Sequence, residues 1–128
     1  MSISWFSSDV KAKNCIATIY DSNITLNKFT CDMIANAYTV MLGLDYEERA
    51  IYIKPLRKDI ATRGDIPANK QYAITLRASY GRISNVDFIK EIKKLLKVSS
   101  LKDAPKKFYV EWATHGETLK IDLNEEVI

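Results

Sequence analysis

The sequence holds one histidine, two cysteines and four glycines in 128 residues, and each scarcity excludes a class of chemistry. His115 stands alone beside Gly116, so no Cys/His set has zinc spacing and no histidine pair is at hand for acid–base work. Cys15 and Cys31 fall in separate expected elements without CxxC spacing. They read as buried thiols of a reducing compartment, with a disulfide or redox pair as the alternative. The glycines form no glycine-rich run of the kind that cradles phosphate. No apolar stretch approaches the roughly 18 residues of a membrane span. Residues 1–13, despite Trp5 and Phe6, lack the apolar stretch and cleavage site of a secretory signal. The adjacent carboxylates Glu47 and Glu48, and Glu125 and Glu126, read as solvated turn and terminal residues. Together these features point to a cytoplasmic protein that is not an enzyme and needs no cofactor or metal.

What is present is the composition of a globular domain, 47% hydrophobic and 27% charged. The net charge of +3 is modest but uneven. Residues 1–66 carry eight basic and eight acidic side chains, whereas residues 67–128 carry eleven and eight. The excess concentrates in 90–107, where Lys90, Lys93, Lys94, Lys97, Lys102, Lys106 and Lys107 face only Glu91 and Asp103. Such a cluster attracts a polyanion, or forms a solvated helix face with a lysine-bearing loop.

The chain also reads as two copies of one unit. Each runs strand, tight turn, short strand, helix, strand, hairpin turn, strand. Tyr38, Val40, Leu42 and Leu44 alternate with Thr39, Met41 and Gly43, as half-buried strands do. Phe108, Val110 and Trp112 alternate with Tyr109 and Glu111; Leu119, Ile121 and Leu123 alternate with Lys120 and Asp122. Asp45 and Gly116 mark the two hairpin turns. Between them the period shifts toward 3.6. Phe88, Ile89, Ile92, Leu95 and Leu96 form a strong helical stripe capped by Asn85 or Ser84, with Asp87 at its positive end. Phe29, Met33, Ile34 and Ala37 form a weaker one capped by Asn27. The aromatic residues Phe108, Trp112, Tyr72 and Tyr80 read as core and sheet residues. The expected class is α+β, with an N-terminal arm at 1–15, a first repeat at 16–56, a linker at 57–71 and a second repeat at 72–124. Trp5 and Phe6 make the arm a packing segment or a contact surface.

Gly81-Arg82-Ile83-Ser84, followed by an amphipathic helix and a charged hairpin with a turn glycine, resembles the AbrB/MazE/SpoVT family of swapped-hairpin DNA-binding domains. Residues 17–55 follow the same order more loosely, with Ser22-Asn23-Ile24-Thr25 in place of the glycine–arginine start. The pair resembles the two-copy arrangement of MraZ-like proteins. The resemblance implies two ββαββ-like repeats forming an interleaved swapped-hairpin β-barrel with short helices. It implies a bacterial transcriptional regulator or accessory protein whose partner is DNA. Arg82 takes the position of the motif arginine, suited to phosphate or to guanine. Arg77 lies on the preceding strand. Lys90, Lys93 and Lys94 lie in the helix, where they contact phosphate, and Lys28 is the nearest basic substitute in the first repeat. The alternative is a non-catalytic protein-interaction module on the same scaffold, antitoxin-like or from a mobile element. Either a monomer with pseudo-two-fold symmetry or a homodimer satisfies the pattern.

Overall fold

Ile24 and Leu26 are buried while Asn23, Thr25 and Asn27 between them are half-exposed, and this alternation governs most of the sheet. The computed structural model describes residues 14–127; Trp5 and Phe6, and with them most of the segment read as an arm, lie outside the described residues. The strands are β1 (Ile16–Ile19), β2 (Asn23–Asn27), β3 (Thr39–Asp45), β4 (Ala50–Leu56), β5 (Thr75–Leu76), β6 (Tyr80–Ser84), β7 (Lys106–Ala113) and β8 (Thr118–Glu126). The helices are α1 (Lys28–Asp32), α2 (Lys58–Ala61) and α3 (Val86–Leu96). All strand pairs are antiparallel, in the order β3-β4-β8-β7-β1-β2-β6-β5. The result is an α+β fold, an eight-stranded half-barrel with short helices. The hairpin of the second repeat, β7–β8, sits against β1 of the first, which is the exchange a swapped-hairpin arrangement requires.

The register exposes a pseudo-two-fold axis. The same turn bond closes the first hairpin of each repeat: Tyr20 N donates to Asn23 O and Arg77 N to Tyr80 O, both at 2.8 Å. Matching those turns makes Thr25 the counterpart of Arg82, and these two are directly paired between β2 and β6. The other hairpins close on Asp45–Ala50 and Ala113–Thr118, which makes Tyr52 the counterpart of Lys120, again directly paired. The axis therefore passes between Thr25 and Arg82 on one side of the half-barrel, and between Tyr52 and Lys120 on the other. Symmetry fails at the seams. Ile16–Ile19 pair with Lys106–Tyr109 as a four-residue ladder, whereas β3 pairs with the segment leading into β5 through one isolated backbone bridge, Val40 with Tyr72. Those two residues exchange both backbone bonds, at 2.9 and 2.8 Å, and tie the outer strands together.

The core fills the inside of the curl. Ile19, Ile24, Leu26, Ile51, Ile53, Ile83, Phe108, Leu119 and Ile121 are almost wholly buried, with Ile89 and Ile92 of α3 packed against them. Asn85 caps α3 by accepting from Phe88 N at 3.0 Å, and Asp87 lies in the first turn. Three contacts fasten α3 across one end of the sheet. Lys93 Nζ lies 3.3 Å from Asp21 Oδ1, Arg49 Nη2 donates to Leu95 O at 2.9 Å, and Tyr46 OH donates to Glu91 Oε2 at 3.4 Å.

The first helix departs from its expected stripe. Asn27 does cap it, accepting from Thr30 N at 3.1 Å, but it ends at Asp32. Short turn bonds carry the chain on to Ala37, so Ile34 is still buried while Phe29 is 54% exposed. A five-residue helix presents little more than one turn to the sheet, and Phe29 falls on its far side. Cys31 falls on the near side. A β-carbon added to Gly81 would lie 2.8 Å from Cys31 Sγ and 3.2 Å from Leu76 Cδ2, so the absence of a side chain at Gly81 lets α1 settle onto β6. The connecting segment carries α2 and a 3₁₀ turn at Ala68–Lys70. Gln71 knits it together, donating to Ala61 O and Ile66 O and bonding Thr39 of β3.

Candidate nucleic-acid interface

Strands β1, β2, β5 and β6 read Ile-Ala-Thr-Ile, Asn-Ile-Thr-Leu-Asn, Thr-Leu and Tyr-Gly-Arg-Ile-Ser, and contain no carboxylate. Ala17, Ile19, Ile24, Leu26 and Ile83 point into the core, so the outer face is built from what remains, with the half-buried Ile16 at its margin. Directly paired residues share a face, and the register lines up Lys107, Thr18, Thr25, Arg82 and Thr75 across five strands. Arg82 sits at the middle of the β2–β6 pair, on the pseudo-axis, and is exposed. Its guanidinium lies over the Tyr80 ring, 5.3 Å from the centroid. Tyr80 is thus a half-exposed support for Arg82 on the outer surface, while Phe108 alone of the four aromatic residues singled out above is fully buried.

A shallow hollow of about 350 Å³ opens beside this pair, lined by Tyr20, Asn23, Thr25, Tyr80 and Arg82. Thr25 Oγ1 donates to Asn23 Oδ1 at 3.0 Å, which fixes the amide against the sheet. Arg77 stands opposite Tyr80 at the hairpin turn, exposed, at a register position on the same face. The face therefore gathers Arg82, Arg77 and Lys107 with rings and hydroxyls between them. The Gly81–Ser84 motif matches the first repeat two residues later than the sequence alone suggests, with Thr25 and not Asn23 opposite Arg82.

The remaining basic residues lie elsewhere. Lys93 is half-buried and committed to Asp21, and Lys94 is exposed with Glu91 at 3.2 Å. Lys90 is exposed on α3 and Lys28 opens α1, also exposed. None of the four touches the Arg82 hollow. Tyr20 is the lining residue that sequence reasoning passed over, while Lys107 and Tyr109 were read in the lysine cluster and the strand alternation without being placed on this face. Extending the Phe108–Val110 alternation back by one residue puts Lys107 and Tyr109 on the outer face, so the signal was present.

The opposite side of the half-barrel offers a contrast. There the row is Glu111, Lys120, Tyr52 and Gly43. Lys120 lies 3.5 Å from Glu48. Burial works against its charge, yet Tyr52, Glu48 and Glu111 more than offset that and hold the ammonium above the ordinary lysine range. A second groove, of about 590 Å³, runs between the connector and the edge of β3, with Tyr38, Ile66, Pro67, Tyr72 and Ile74 in its walls.

Cys15 and Cys31 are buried free thiols, and burial pushes both above the ordinary thiol range. Among the described residues no three His, Cys, Asp or Glu side chains come together as metal ligands, and no helix is long and apolar enough to cross a membrane. His115 is exposed in the β7–β8 turn. No protein family, curated protein or solved structure matches this chain.

Proposed function

We propose that this chain is a non-catalytic DNA-binding regulator or accessory protein of the AbrB-like, swapped-hairpin type, working in the cytoplasm and meeting DNA with the outer face of β1, β2, β5 and β6. The observation that carries the reading is Arg82, exposed on the pseudo-axis of strands that hold no carboxylate and braced by the Tyr80 ring. A face free of opposing charge retains its attraction for phosphate, and a braced guanidinium loses less freedom on binding than a free one. The fold is compatible with that scaffold.

The test is a titration of a labelled mixed-sequence duplex at about 50 and about 200 mM salt. Affinity falls steeply with salt, Arg82→Ala weakens binding by about tenfold or more, and Lys120→Ala leaves it within error. Binding absent at the lower salt, or lost equally in both variants, sinks the proposal. A second reading, a protein-interaction module, is favoured by the ring-lined groove beside β3, whose outer edge beyond Val40 has no strand partner among the described residues. An extended peptide added to that edge would use the same backbone groups as a sheet.

A further inference from the structure

The hollow beside Arg82 has features that phosphate contact alone does not need. Two of its five lining residues are tyrosines, Tyr20 in the β1–β2 turn and Tyr80 at the start of β6. Asn23 accepts the Thr25 hydroxyl on Oδ1, which leaves its amide N–H donors without a protein partner among the described residues. Among the described residues Arg82 has the Tyr80 ring as its side-chain partner there. The hollow thus combines π-faces with hydrogen-bond donors, and at about 350 Å³ it is at the small-ligand end of binding sites. A base inside a duplex hides both faces in its stack and its pairing edge in its partner. An unpaired base exposes all of them, with carbonyl and ring-nitrogen acceptors to meet Asn23 and Arg82. Lys107 lies three strand spacings from Arg82 in the same row, about 14 Å away, in position to meet the backbone of the same strand.

Building on the DNA-binding reading above, we infer that this hollow receives one unpaired base, so that the face takes single-stranded nucleic acid in preference to duplex. Tyr20 supplies a stacking surface, Asn23 and Arg82 the donors to the base edge, and Lys107 a phosphate contact.

The probe is a labelled DNA single strand of about 12 nucleotides, a length within the usual site size, and the same sequence as a duplex, both followed by fluorescence anisotropy at about 50 mM salt. The strand binds about tenfold more tightly than the duplex. Tyr20→Ala weakens the strand about tenfold and leaves the duplex unchanged, while Tyr20→Phe, which keeps the ring, binds as the parent does. Equal or tighter duplex binding overturns the inference, as does a Tyr20→Ala variant that changes both probes alike or neither; each leaves DNA binding itself standing. Failure of both probes to bind overturns the inference and the DNA-binding reading together.

Discussion

Two pairs of residues sit on the pseudo-axis, Thr25 with Arg82 on one side of the half-barrel and Tyr52 with Lys120 on the other. Each pair has one cation. Around Arg82 the four strands are free of carboxylates, and the guanidinium rests on a ring. Around Lys120 stand Glu48 and Glu111, and the ammonium is drawn toward Glu48. The lesson is that the position of a charge on a symmetric scaffold says less than the charges left out beside it. At 4 Å a single carboxylate cancels a lysine almost entirely as far as a distant phosphate is concerned. The repeat puts one such pair at each side of the half-barrel, and the side chains around each pair make the two places different.

The largest effect expected within this comparison is at Gly81, whose counterpart by the turn register is the fully developed side chain Ile24. Cys31 of α1 occupies the space a β-carbon would need at Gly81. Gly81→Ala should destabilise the fold by about 1–3 kcal/mol, measured by denaturant unfolding. In a Cys31→Ala background the same change should cost distinctly less, since the sulfur that crowds it is gone. Equal costs in both backgrounds would show that α1 does not rest on Gly81.

Next comes Thr25→Arg, which installs on β2 the residue its counterpart already carries. The second arginine, which fills part of the hollow that Thr25 lines, should raise affinity for duplex DNA by about three- to tenfold and steepen the salt dependence by about one phosphate. It should also cost a few tenths of a kcal/mol in stability, because like charges directly opposite repel. Unchanged affinity would mean that this row of the sheet does not meet the polyanion.

How much of this could be read from sequence follows the same asymmetry. Period-two strands, the Asn27 and Asn85 caps and the Asp45 turn are local, and a local pattern is enough to announce them: Asp45 Oδ1 does accept from Glu47 N and Glu48 N, at 3.0 Å each. The two-repeat order was legible because each repeat spells it independently. The helix stripe from Phe29 to Ala37 misled, since periodicity cannot say where a helix stops when a tertiary contact, here Cys31 on Gly81, sets its packing. Of the candidate site, the motif singles out Arg82. Its bracing by Tyr80, two residues before it on the same face of β6, follows from the period-two pattern. Its row with Lys107 was not legible, because that depends on which strand lies beside which, and β7 lying beside β1 brings together residues from opposite ends of the chain.

The smallest expected effect concerns a difference between the two first hairpins. In the first turn Asp21 Oδ1 accepts Leu101 N at 2.8 Å and lies 3.3 Å from Lys93; the counterpart in the second is Ala78, which can do neither. The Leu101 bond first, and then Lys93 and Ser100, hold the Asp21 carboxyl below the ordinary carboxylate range, outweighing its partial desolvation. A carboxyl with a lowered folded-state pKa favours the fold above its unfolded value and loses that contribution as pH falls through the folded one. Asp21→Asn should therefore melt slightly lower than the parent at neutral pH, with the gap narrowing below about pH 4, where the unfolded carboxyl takes up its proton. Thermal unfolding of both proteins across that window checks the sign. A gap that stays constant from neutral to acid would show that Asp21 works through its shape and not its charge. In that case the two turns differ only in packing, and the charge of Asp21 adds nothing to the hold that Arg49, Tyr46 and the buried isoleucines have on α3.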